Sequence, residues 1–220
     1  MNHRSVPNTQ FDTRATLNRY RGTHKVKVYA LTGGIAAGKS EAARRFEAWG
    51  IPVIDADRVA HEIIAPDGAA EAAVIEAFGP SVLADGKIDR EKLGALVFGN
   101  HARLDTLNEI VHPEVRAEIG RRLAALLEKG TRASIVDAAL HAENGEMPLG
   151  MEGLILVLSP NDLRIERMMQ LRGMTREDAE LRIRSQRDPA EKARLARWIL
   201  QNTGSIEDLH TQVDRVASEL

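Results

Sequence analysis

The sequence predicts an α/β protein of three layers, with helices on both faces of a five-stranded parallel sheet. Three observations carry that expectation. Five short apolar runs have the length of buried strands: 28–32, 53–54, 134–137, 154–158 and 198–200. Helical patterns separate them, as the crossovers of a parallel sheet require. The first run breaks at Gly33-Gly34, directly before a helical segment. The chain has 220 residues, 43% hydrophobic and 28% charged, an ordinary balance that argues against wholesale disorder. A net charge of −2 supplies no global field for nucleic acid or an anionic membrane, and neither is expected as a partner. Cysteine is absent, which removes disulfides, thiolate metal sites and cysteine nucleophiles and fits a reducing, cytoplasmic setting. No apolar run reaches 18 residues, so no transmembrane helix is expected. A monomer is expected.

Residues 1–25 set Arg4, Arg14, Arg19, Arg21 and Lys25 against the single acid Asp12 and carry no sustained apolar periodicity. They read as a disordered basic tail, and an Arg-rich, acid-poor segment also has the composition of a transit peptide. The folded domain is expected over 26–220. Ser40 to Trp49 reads as a helix ended by Gly50, and Pro52-Val53-Ile54 as a second strand leading into Asp55-Ala56-Asp57. A helical insert is expected from about 60 to 125. Val59, Ile63 and Ile64 share one helical face, Asp85-Gly86 is a turn, and Asp89 can cap the helix through Leu93 and Val97. Leu104 to Val111 continues the spacing, and Pro113 suits the first turn of a new helix that Lys129-Gly130 closes. After the fourth strand, 161–197 reads as charged helix with many arginines. Asn202-Thr203-Gly204 is a turn, and Ile206 to Val216 is a terminal amphipathic helix.

Gly33-Gly34-Ile35-Ala36-Ala37-Gly38-Lys39-Ser40 matches G-x-x-x-x-G-K-[ST]. A loop that wraps a phosphate tail with backbone N–H groups needs glycine where φ is positive or the backbone approaches closely. The helix that follows points its positive N-terminal end at the same oxygens. Lys39 would supply a full charge to the outer phosphates, and the Ser40 hydroxyl would ligate Mg²⁺. With this loop in the first strand–helix turn, the expected fold is that of a P-loop NTPase. No N-K-x-D or D-x-x-G stands in the chain to mark a GTPase. The length suits a small-molecule kinase, which needs an acceptor hydroxyl, a base and arginines around the transferring group.

Asp55 and Asp57 are the base candidates. They lie at the C-terminal end of the second strand, where ligands of open α/β sheets bind, and i, i+2 on a strand share a face. Either could instead cap the helix that follows. Arg164, Arg167, Arg172, Arg176, Arg182, Arg184 and Arg187 are the cationic candidates, most of them explicable as a solvated helix face and one to three expected on phosphate. A lone His112 has no second ligand at metal spacing to make a zinc site.

In order along the chain, these residues resemble the dephospho-coenzyme A kinase family. Its strand into L-T-G-G-I-x-x-G-K-S is matched by Leu31 to Ser40, its D-A-D by Asp55 to Asp57, and its D-G-x-I-D-R by Asp85 to Arg90. V-F stands at Val97-Phe98, H-P at His112-Pro113, a glutamine at Gln186 and N-x-G at Asn202 to Gly204. The resemblance implies ATP-dependent phosphorylation of the ribose 3′-hydroxyl of dephospho-coenzyme A, the last step of coenzyme A synthesis. It implies ATP on residues 33–41, that is Gly33, Gly34, Ile35, Ala36, Ala37, Gly38, Lys39, Ser40 and Glu41, with Arg167 and Arg172, and the arginine-rich stretch at about 161–190 as a closing lid. It implies Asp57 as general base, Lys39 as its catalytic partner, and an acceptor site drawing on Asp55, Asp57, His112, Asp137, Leu140 and Glu143.

The chain departs from the family pattern in four places. D-x-P-L-L-F-E after the third strand reads Asp137-Ala138-Ala139-Leu140-His141-Ala142-Glu143, the usual second lid arginine is Leu171 with Arg172 beside it, A-D is Ala196-Arg197, and a threonine after Ser40 is Glu41. The departures leave two alternatives to the kinase: a nucleotide- or coenzyme A-binding paralogue with a regulatory role, and a kinase for another acceptor.

Overall fold

The computed structural model describes residues 26–138, 150–186 and 189–220. The expected tail at 1–25 and the candidates Leu140, Glu143 and Arg187 lie outside them. Contacts divide the chain into two compact units, one formed by the chain up to Val53 together with Leu127–Leu220, the other by Ile54–Leu126.

The first unit is built on β1 (Lys27–Gly33), which leads through the loop into α1 (Lys39–Ala48) and on to β2 (Val53–Asp55). β5 (Ala133–Asp137) and β6 (Gly153–Leu158) flank β1, and β7 (Trp198–Gln201) pairs with β6, giving the order β2-β5-β1-β6-β7. All five expected strands are present. β1 pairs in parallel with β5 (Tyr29 opposite Ile135, Leu31 opposite Asp137) and with β6 (Leu31 opposite Ile155), and β6 in parallel with β7. The chain moves one way from β1 to β2 and the other from β5 to β6, so the carboxyl end of β1 is a switch point.

Alternation along the strands fills both faces. Tyr29, Leu31, Ile135, Ile155, Val157 and Leu200 pack with Ala42 and Phe46 of α1 and with Leu209 and Val213 of α9 (Ile206–Ala217). Ala30 and Leu154 point the other way, against Met151, Leu195 and Ala196. Ser205 and Asp208 form a capping box that starts α9. Arg45 on α1 makes two 2.6 Å hydrogen bonds to the Asp214 carboxylate on α9, and the Trp49 indole donates to the same group at 2.6 Å. The Arg45 guanidinium, with Trp49 adding to it, holds the Asp214 carboxyl below the usual carboxylate range.

The region 161–197 is not one helix. It forms α6 (Asn161–Arg172), α7 (Arg176–Arg184) and α8 (Pro189–Ala193). Gly173 ends α6 at φ 62°, and the Thr175 hydroxyl accepts from the Asp178 N–H to start α7. The glycine and the T-x-x-D cap carry that break in the sequence.

The second unit holds α2 (Ala56–Ile63), α3 (Glu71–Phe78), the hairpin β3 (Leu83–Ala84) and β4 (Lys87–Ile88), α4 (Arg90–Val97) and α5 (His101–Glu128), whose last residues run into the first unit. Asp85 and Gly86 turn the hairpin at φ 50° and 76°, the left-handed pair that a two-residue loop requires. Asp89 accepts from the Glu91 and Lys92 N–H groups and caps α4. The expected break at His112-Pro113 does not occur: α5 is continuous and carries Pro113 inside it. A proline there costs about 3 kcal/mol against alanine. Burial of Val115, Ile119 and Leu123 along one face outweighs it.

Phe46 is fully buried between α1 and the sheet. Phe46→Ala is expected to lower the unfolding free energy by about 3–5 kcal/mol, read from the midpoint of a denaturant titration at unchanged slope.

Candidate active site

The glycine-rich segment stands at the switch point, between the carboxyl end of β1 and the N-terminus of α1. Its bend is set from inside and outside. Ala37 N–H donates to the Gly34 carbonyl at 3.1 Å, and Glu41 and Ala42 N–H groups donate to the Gly38 carbonyl at 3.1 Å. Gly38 takes φ 101° and caps α1, a conformation open to glycine and strained for other residues. A Cβ there would also collide with the Asn202 amide, and one at Gly33 would stand 2.8 Å from the Val157 carbonyl.

From outside, three successive loop carbonyls are taken up by side chains from the last third of the chain. Arg164 Nε donates to Ile35 O at 2.8 Å, Arg167 to Ala36 O at 3.3 Å, and Asn202 Nδ2 to Ala37 O at 2.8 Å. Arg167 also bonds Ser159 Oγ at 3.1 Å and Asn202 Oδ1 at 3.2 Å, tying the clamps together. Carbonyls held on one side turn the peptide planes, which is how a nest of N–H groups faces an anion. Lys39 Nζ forms an ion pair with Asp137 at the end of β5. Burial pushes the Arg164 guanidinium below its ordinary value.

Glu41 does not aim bare charge at the loop. Its carboxylate contacts His210 Nε2 at 2.8 Å and forms an ion pair with Arg44. Ser40 is exposed at the start of α1. Arg172 is exposed in the last turn of α6 and makes no hydrogen bond or ion pair with the loop among the described residues; Leu171 beside it is 79% exposed.

In the second unit the two aspartates differ. β2 ends at Asp55, so Asp57 stands in the first turn of α2, not on the strand, and the expected shared strand face does not exist. Asp55 caps that helix, its carboxylate accepting from Arg58 N–H at 2.9 Å. Asp57 is exposed and makes no hydrogen bond or ion pair among the described residues. His112 lies half-buried in α5, and burial, with the Arg116 charge adding to it, holds its imidazole below the ordinary histidine value.

Sequence reasoning marked the loop and, among the cationic candidates, Arg164 and Arg167, whose guanidiniums meet loop carbonyls. It did not assign loop-clamping roles to Asn202 and Gln186, though N-x-G and a glutamine ending the arginine-rich stretch were visible signals. Gln186 Oε1 accepts from Ile35 N–H at 2.9 Å.

A parallel sheet whose first strand runs through G-x-x-x-x-G-K-S into a helix, with lysine and serine at the helix start, defines a P-loop nucleotide-binding protein. The Dephospho-CoA kinase family model matches residues 27–208, and the chain belongs to that family. A dephospho-CoA kinase of Carboxydothermus hydrogenoformans is 40% identical over 187 residues, 84% of this chain and 90% of that one. A Thermus thermophilus crystal structure aligns with a TM-score of 0.78 at 34% identity, over 90% of this chain and 99% of its own. A dephospho-CoA kinase structure from Campylobacter jejuni aligns at 0.59 and 29% identity, over 88% and 96%. Among the described residues no helix is long and apolar enough to cross a membrane.

Two outcomes follow from this geometry. Gly38→Ala is expected to cost about 1–3 kcal/mol of stability and to weaken ATP binding at least about tenfold, measured by denaturation and calorimetry. Between its lowered value in the fold and its ordinary value of about 6.5, the His112 imidazole is neutral in the folded chain and protonated in the unfolded one, so it gains a proton on unfolding there. Stability therefore rises with pH through that window, by at most about 1.4 kcal/mol per pH unit. Wild type is expected to lose more melting temperature than His112→Asn between pH 7 and 5.5; parallel curves would remove the histidine as the cause.

Proposed function

We propose that the protein transfers the γ-phosphoryl group of ATP to the ribose 3′-hydroxyl of dephospho-coenzyme A, giving coenzyme A and ADP. The observation that carries this reading is the family match over residues 27–208 coinciding with an assembled loop whose carbonyls are clamped by Arg164, Arg167 and Asn202.

In this reading the backbone N–H groups of 33–41 and Lys39 hold the β- and γ-phosphates, and Arg167 and Arg172 add positive charge when the lid stretch closes over them. Lys39 turns from Asp137 to the phosphate as ATP binds. Asp57 accepts the proton of the 3′-hydroxyl as its oxygen attacks the γ-phosphorus, and ADP leaves in line. Support for Asp57 over Asp55 is that Asp55 already uses its carboxylate as a helix cap, while Asp57 is exposed two residues on. Asp55, His112, Asp137, Leu140 and Glu143 would line the acceptor, with the pantetheine arm along the helical insert. Positioning and charge neutralisation supply most of the acceleration.

The donors present fit Mg²⁺. No cluster of three or more His, Asp or Glu capable of holding a metal exists among the described residues. A magnesium ion bound through one side chain, substrate phosphates and waters needs none, and the Ser40 hydroxyl at the helix start would be that side chain. The ion would neutralise charge developing between the β- and γ-oxygens. A cytoplasmic monomer is part of this reading.

The test is ADP release with ATP and Mg²⁺, with and without dephospho-coenzyme A, and the mass of the product. Acceptor-dependent release with one phosphoryl group gained is the expected result. ATP binding without turnover would favour the regulatory alternative. Lys39→Ala and Asp57→Asn are each expected to lower turnover by at least about 10³-fold, while Asp57→Asn leaves the ATP dissociation constant within about threefold. Turnover retained in Asp57→Asn would remove it as the base.

A further inference from the structure

Arg164 is one of the few charged side chains buried among the described residues, at 2% exposure. Its hydrogen bonds go to three neutral oxygens: Ile35 O at 2.8 Å, Asn161 Oδ1 at 3.1 Å and Gln186 Oε1 at 2.7 Å. No carboxylate pairs with it among the described residues. The same Gln186 oxygen accepts from Ile35 N–H at 2.9 Å. Arg164, Gln186 and the Ile35 peptide thus close a ring that fixes both polar atoms of one loop residue. The guanidinium lies against Gly34, where an added Cβ would come 2.7 Å from its central carbon.

A buried cation without an anion is costly. Around residues 33–40, Lys39, Arg164 and Arg167 bring three positive charges, and Asp137 on Lys39 is the carboxylate among their described partners. Glu41 is turned to His210 and Arg44. The loop is therefore short of negative charge, and the polyphosphate of a nucleotide carries the sign and multiplicity that compensate it.

We propose that Arg164 is a positioning residue that sets the affinity of the loop for nucleotide polyphosphate, through its ring with Gln186 and Ile35 and through a buried charge that bound phosphate neutralises. The proposal rests on the nucleotide-binding reading above. It carries a signature that scaffolding alone lacks. The charge destabilises the free protein and stabilises the complex, so removing it acts with opposite sign on the two.

The experiment uses the full chain and the variants Arg164→Gln, which can still bond to Ile35 O without charge, and Arg164→Lys, which keeps the charge. Dissociation constants for ATP and AMP are measured by calorimetry, and melting temperatures with and without ATP. Wild type is expected to bind ATP; if it does not, the nucleotide reading itself fails. Arg164→Gln is expected to bind ATP about tenfold more weakly and AMP less than about threefold more weakly. Its nucleotide-free melting temperature should equal or exceed that of wild type, with a smaller gain on adding ATP. Arg164→Lys should keep the wild-type ratio of ATP to AMP affinity. Unchanged ATP affinity in Arg164→Gln, equal losses for ATP and AMP, or a lower nucleotide-free melting temperature with an unchanged gain would each overturn the proposal. If Arg164→Gln does not fold, Arg164→Lys decides: a retained ratio sustains the proposal and a lost one overturns it.

Discussion

The structure depends on three hydrogen bonds from side chains to the consecutive carbonyls of Ile35, Ala36 and Ala37. A loop of small residues has little side-chain surface with which to hold its own shape, and Ala36 sits at φ 57°, a conformation alanine adopts at a cost. The guanidiniums of Arg164 and Arg167 and the amide of Asn202 supply the missing rigidity. Arg164 and Arg167 come from α6, whose buried Ile165 and Met168 pack with Ala179 of α7 and against Ile35 and Ala36 of the loop itself, while Asn202 follows β7, whose Leu200 packs into the main core. Packing is thus converted into loop geometry by apolar contact and by three polar contacts together.

Much of this was legible in the sequence because it rests on local rules. The apolar runs gave all five strands, Gly33 to Ser40 announced the loop, and Asp85-Gly86, Asp89 and Ser205 marked a turn and two caps. What stayed illegible rests on competition or distance. Pro113 obeys its local rule in isolation, yet the apolar face of α5 holds the helix together through it. Asp55 and Asp57 look equivalent as D-x-D, and one residue's difference in where β2 ends puts them on different elements. That Asn202 would meet Ala37 is a statement about a separation of 165 residues, which no periodicity encodes.

Two of the four departures from the family pattern meet different surroundings. Glu41 is absorbed: an added negative charge beside the loop is met by an ion pair with Arg44 and a contact to His210, so the neighbourhood answers one change with two partners. Leu171 is not absorbed in this way. It stands exposed on α6, with Arg172 turned about 100° around the helix from it. The first adds a charge that its own neighbours take up; the second changes what α6 presents at its exposed face.

The clamps are also late in the chain. Loop residues 33–40 are held by groups 129 to 165 positions further on, and the helix packed beneath them ends at Ala217. Contacts of such separation form after the intervening chain has been closed. During synthesis, which proceeds from the N-terminus, the loop emerges before Arg164, Arg167 and Asn202, with its internal hydrogen bonds in reach but none of the clamps. A nascent or truncated chain that stops short of Asn202 therefore carries the complete phosphate-loop motif without the set of side chains that holds its carbonyls.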